Sequence, residues 1–188
     1  MKVQKGDYGY LKNRKTRALI GIAAMIAAGL AVFIAGLFLN KMSHRNIFTI
    51  IAVLFVLPGA KFLVRFIVTF PYHPVDRQLY EQAKKHTDAK KMQLYTDMVI
   101  TSSEKVMYLK FAAVGSKHVI ALTGNEKQET AYIRKYLNDG VNNWGSNYKV
   151  KVLETEKSFF KEIDSISVQD ASKEEEKNVQ SYLISLIV

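Results

Sequence analysis

The chain has 188 residues, 48% of them hydrophobic, with 27 Lys and Arg against 17 Asp and Glu (net charge +10) and no cysteine. The lack of cysteine excludes a disulfide framework, thiol catalysis and a thiolate metal site. The basic excess would suggest a nucleic-acid ligand, but ten basic residues and one acidic residue precede Pro71, while the other 118 residues hold 17 basic and 16 acidic. Ten minus one is +9 and 17 minus 16 is +1, so the excess belongs to the first third of the chain. There it reads as a membrane-topology signal. Nucleic acid is not expected as the main ligand, because phosphate binding wants a net basic face.

Residues 1–17 read as a basic arm on a cytoplasmic membrane surface. Lys12, Arg14, Lys15 and Arg17 would face anionic lipid headgroups, and Tyr8, Tyr10 and Leu11 would dip into the interface. Residues 18–70 read as a transmembrane hairpin. Its first helix, about 18–39, carries no charge and reaches roughly 33 Å, enough to cross a hydrocarbon core of about 30 Å. It is too long for a signal-peptide core, and no A-x-A site closes it. Ala23, Ala27, Ala31 and Ala35 recur at i+4. They predict a close-packing seam against the second helix, or alternatively against a partner in the bilayer.

The connector 40–46 is assigned to the outside. The second helix, about 47–70, is interrupted by Pro58-Gly59-Ala60, where a kink is expected. Lys61 and Arg65, one turn apart, are read as snorkelling to the cytoplasmic headgroups, with a polar site inside the membrane as the alternative. Basic residues on both flanks outweigh the connector, so both termini are expected in the cytoplasm, as in a bacterial-type inner-membrane protein.

Residues 71–188 read as a small cytoplasmic domain after a Pro71–Pro74 elbow. Val75–Lys91 predicts a helix with Val75, Leu79, Ala83 and His86 on one face. Met92–Thr101 predicts a strand with Leu94, Thr96, Met98 and Ile100 on one side and Tyr95, Asp97 and Val99 on the other. Val106–Ala113 and His118–Thr123 follow across short turns, favouring an antiparallel meander whose middle strand is covered on both faces. A helix then starts at a capping box at Asn125–Gln128 and ends at Gly140. Trp144 is read as folding back on the domain or meeting the bilayer interface. Tyr148–Leu153 is a strand and Ser158–Ile163 a short helix. Ser172-x-x-Glu175 caps a last helix with the stripe Val179, Tyr182, Leu183, Leu186 and Ile187, read as docking on the sheet. The expected architecture is a membrane-anchored α+β protein: a two-helix hairpin, then α-β-β-β-α-β-α-α with a mixed, mostly antiparallel sheet.

No phosphate-binding loop, dinucleotide fingerprint or zinc-protease motif occurs, and His73 and His86 have no ligand partner at motif spacing. Asp97 on the first strand and Lys110 on the second, within the order α-β-β-β-α-β over residues 76–154, resemble the core of the PD-(D/E)xK nuclease family, including its NERD branch. That resemblance implies a divalent cation held by two carboxylates, with the lysine positioning a water. Tyr108 stands where the family has its second acid, and Glu104 substitutes only if its turn folds back. The expected function is therefore a non-enzymatic accessory or scaffold with no cofactor, holding an unidentified protein partner at the membrane. A divergent or degenerate nuclease-like domain is the alternative, and a small subunit of a membrane transport complex the second.

Overall fold

The computed structural model describes residues 3–40, 43, 47–124, 129–168 and 172–188. The chain forms two units, one of Lys12–Pro71 and one of Met1–Leu11 with Tyr72–Val188. The expected capping box at Asn125–Gln128 and most of the connector, with Lys41 and Arg45, lie outside the described residues.

In the first unit, α1 (Tyr10–Leu39) begins in the arm and continues as one helix. The second apolar segment is two helices, α2 (Ile47–Leu54) and α3 (Val56–Thr69). Both segments are long and apolar enough to cross a membrane. The break falls at Phe55 rather than at Pro58-Gly59-Ala60. A proline lacks the N–H that would bond the carbonyl four residues back and its ring crowds that carbonyl; four residues before Pro58 is Leu54, the last residue of α2. The chain tightens there, with Phe55 N donating to Ala52 O at 3.2 Å.

The packing seam of this unit differs from the expected one. Ala23, Ala27, Ala31 and Ala35 are all exposed. Close approach runs instead through glycine: a β-carbon on Gly21 would stand 2.5 Å from the Phe62 ring, and one on Gly29 would stand 3.4 Å from Ala52 O. The i+4 alanine spacing is a real stripe, but it lies on the face that the hairpin leaves open. Gly21→Val should therefore destabilise the hairpin by about 1–3 kcal/mol, the usual cost of overpacking. Ala27→Leu should leave it unchanged. Thermal melts of the full chain in detergent check both, and equal losses would refute the glycine seam.

The second unit is a four-stranded sheet in the order β1 (Gln93–Thr101), β2 (Val106–Gly115), β3 (His118–Thr123), β4 (Lys149–Leu153). β1–β2 and β2–β3 are antiparallel and β3–β4 is parallel, so the sheet is mixed and mostly antiparallel as expected. The β2–β3 link is a two-residue turn in which Ser116 and Lys117 both have positive φ, matching the primed turns that suit hairpin twist. The parallel return to β4 is made by α5 (Thr130–Asn142).

β2 is buried on both faces. On one, Met98, Ile100, Leu109, Ile133, Leu137, Val179 and Leu183 form a core with α5 and α7 (Lys173–Leu186); the C-terminal stripe docks here, as read from the sequence. On the other, Phe111, Ile120, Leu122, Phe159 and Ile163 pack with α4 (Arg77–Ala89) and α6 (Glu156–Ser165). Each fully buried large side chain contributes about 1.5–3 kcal/mol.

Several local expectations are corrected. Val75 lies outside α4, which starts after the N-cap Asp76, whose Oδ2 accepts from Gln78 N at 2.8 Å. Gly140 is inside α5 rather than its end; a β-carbon there would meet the Tyr182 hydroxyl at 1.7 Å, so the glycine serves the α5–α7 crossing. Ser172 precedes α7 without a side-chain capping bond. Trp144 is 53% exposed and stacks on Tyr182 at 6.5 Å.

The β1 alternation also fails midway. Tyr95 shares the α5/α7 core with Met98 and Ile100, whereas Leu94 packs on the α4/α6 side. The parity switches at Asp97, whose φ is +52. β2 switches alongside it, so the β1–β2 pairing stays in step on both sides, and the register shift falls in the β2–β3 pairing, between Leu109 and Phe111.

Candidate functional site

Asp97 is 1% exposed and sits in a left-handed conformation that aspartate tolerates better than most residues. Its Oδ1 accepts from Val75 N at 2.9 Å and lies 2.8 Å from the Tyr108 hydroxyl. That hydroxyl also lies 2.6 Å from the His73 carbonyl oxygen, so its single proton serves two acceptors. The Tyr72 ring stacks on Tyr108 at 4.8 Å. Burial, then the Asp97 charge, pushes the Tyr108 phenol well up, so it stays a neutral donor. Burial also raises Tyr72. The carboxylate therefore bolts residues 72–75, the elbow after Pro71, to the inside of the sheet.

Lys110 stands across from Asp97, between the pairs Thr96↔Phe111 and Met98↔Leu109. Its ammonium goes to Glu156 Oε1 at 3.1 Å, on the first residue of α6, with both side chains partly exposed. Such a pair is worth about 0–1 kcal/mol. Glu104 lies exposed in the β1–β2 turn, its N–H on Ser102 Oγ at 3.3 Å. Asp97 and Lys110 thus meet different partners. Tyr108 occupies the place of the second acid and bonds the first. Among the described residues no three His, Asp or Glu side chains gather as a metal-binding group.

Of the basic residues, Lys15 Nζ donates to Phe70 O at 3.0 Å and lies 6.0 Å from that ring's centre. This contact sets the start of α1 beside the end of α3, and it gathers Lys12, Arg14, Lys15, Arg17, Lys61 and Arg65 towards one end of the hairpin. Arg65 lies over Phe62 at 6.0 Å. Lys12, Arg17 and Lys61 are exposed, while the Arg14 Nε is buried with no hydrogen-bond partner among the described residues.

Sequence reading missed three features. The first is the docked arm. Residues 3–11 lie with the α+β unit: Thr96 N donates to Gly6 O at 2.8 Å, Tyr8 stacks on Tyr80 at 4.6 Å, and Leu11 is 1% exposed. Lys5 Nζ donates to the Ile187 carbonyl, and the Tyr10 hydroxyl to Val188 O at 3.3 Å. Two glycines with positive φ, Gly6 and Gly9, were the available signal of a shaped segment. The second is a cavity of about 470 Å³ bordered by Asp7, Tyr8, Tyr80, Lys84, Asp88 and Gln93 among others. The third is a pair 78 residues apart, His86 Nδ1 to Asp164 Oδ1 at 2.7 Å, with the imidazole stacked on Phe160. Set against known protein families, curated proteins and solved structures, the chain matches none of them.

Proposed function

We propose that the protein is a non-enzymatic accessory that uses its two apolar segments as a membrane anchor and its α+β unit as a docking platform for a protein partner. One observation carries this reading: the carboxylate and lysine that sequence would recruit for chemistry are committed to architecture, Asp97 to the elbow through Val75 and Tyr108, and Lys110 to Glu156. The basic end of the hairpin supports a cytoplasmic placement of the arm and the domain in a bacterial-type inner membrane, with anionic headgroups around Lys12, Arg14, Lys15, Arg17, Lys61 and Arg65. A divergent PD-(D/E)xK-like hydrolase remains the second reading. It is supported by the α-β-β-β-α-β order and the parallel β3–β4 pair. The exposed Ala23–Ala35 stripe favours a third, assembly with other helices as a transport subunit.

In-cell crosslinking of the full chain in its native membrane separates these readings. The scaffold reading expects one reproducible partner attached at the same positions within 72–188. Self-crosslinks alone would sink it, and crosslinks confined to Ala23–Ala35 would favour the transport subunit. The hydrolase reading expects divalent-dependent nucleic-acid cleavage by the full-length protein that Lys110→Ala removes. Because the chain has no native cysteine, single cysteines placed at either end report topology. Both should resist an impermeant thiol reagent until the membrane is opened.

A further inference from the structure

Thr96 and Asp97 are neighbours on one irregular turn of β1, and they hold two different segments of chain. The Thr96 N–H holds Gly6 of the arm, and its hydroxyl also points to Gly6 O at 3.4 Å. The Asp97 carboxylate holds Val75 of the elbow. By chain connectivity the arm enters α1 at Tyr10, and the elbow follows α3 at residues 70–72. Both covalent routes from the apolar helices to the domain are therefore fastened at adjacent residues of one strand. The same edge of β1 also receives the C-terminus, through the Ile100↔Ile187 bridge and Val188 N on Val99 O at 3.0 Å.

We propose that the Thr96–Asp97 kink is a coupling clamp: a displacement of either tether releases the other and opens the outer edge of β1. The left-handed φ of Asp97 is a strained backbone state that persists only while its surroundings over-determine it. The arm and the elbow are those surroundings, each holding one of the two residues at the turn. Loss of either weakens the restraint on the other, and a relaxed β1 presents a row of unpaired backbone groups, the usual template for strand addition. The clamp gives a membrane-borne signal a route to the docking face, since both tethers bias one two-state element. It goes beyond the scaffold reading and stands whether or not a partner binds.

The test is amide hydrogen exchange on the full-length protein in detergent. Gly6→Val undocks the arm, because Gly6 has φ +84 and a β-carbon there would stand 2.7 Å from the Tyr95 ring. The clamp expects the Val75 amide, on the other tether, to exchange at least tenfold faster, while Ile120 in the centre of β3 keeps its protection. Asp97→Asn, which keeps the left-handed backbone but weakens the bond to Val75, is expected to speed exchange at Thr96. An unchanged Val75 amide in Gly6→Val overturns the clamp. So does equal acceleration at Ile120, which would mark plain global destabilisation.

Discussion

Asp97→Ala is expected to cost the α+β domain about 3 kcal/mol. Val75 N–H loses its acceptor, while the Tyr108 hydroxyl falls back on the His73 carbonyl alone, and a buried donor left unsatisfied costs roughly 1–3 kcal/mol. Alanine must also adopt φ +52, a left-handed state that costs an ordinary residue about 1–2 kcal/mol. Asp97→Asn keeps both the acceptor and the tolerated backbone, and should lose only about 1 kcal/mol with the charge. Against a typical stability of about 5–15 kcal/mol, the alanine variant gives up a large share. Denaturant unfolding of the full chain followed by Trp144, the single tryptophan, reads the domain directly. A loss under 1 kcal/mol in Asp97→Ala would show that the carboxylate is not holding the elbow, and would return it to the pool of groups free for chemistry.

How far the sequence carried the fold depended on period. The apolar segments were legible because nothing but a membrane or a core tolerates such runs. The strands β2 and β3, the α5/α7 stripe residues Leu137, Val179 and Leu183, and the mixed sheet were legible because alternation and helical spacing are local. Asp97 was misread because alternation assumes an unbroken pleat. One left-handed residue reverses every side chain before it, and no composition signal marks which aspartate does so. The alanine stripe was misassigned for a related reason: small-residue spacing says that close approach is permitted, not what approaches. Gly21 meeting Phe62 could be recognised only once the partner helix was placed. The arm was illegible because its order comes from long-range partners, Thr96, Tyr80 and Ile187. The His86–Asp164 contact spans 78 residues and has no motif spacing to betray it.

The α5/α7 core also makes the domain alkali-labile. Burial, then Glu176 and Asp7, pushes Tyr95 up to about 12; burial, then Glu176 and Glu175, does the same for Tyr148. Both residues are at least nine-tenths buried. In the unfolded chain a tyrosine titrates near 10. Below that pH both states hold the proton and the full contribution is present. Between pH 10 and about 12 the unfolded chain releases protons that the folded one retains, so stability falls as pH rises. Two such groups remove about 5 kcal/mol across that window, at roughly 1.4 kcal/mol per pKa unit. Tyr108, held higher still by burial and then by Asp97, adds to the loss across the same window and above it. Denaturant unfolding at stepped pH, with tyrosinate absorbance recorded alongside, should show this fall. Tyr95→Phe and Tyr148→Phe should each reduce the slope by one proton. At neutral pH Tyr148→Phe should be neutral or stabilising by up to about 1 kcal/mol, because its hydroxyl is buried with no partner among the described residues. A slope unaltered by either substitution would mean that both rings ionise freely in the folded state, and that the packing of α7 on the sheet is far looser than the burial of Val179 and Leu183 requires.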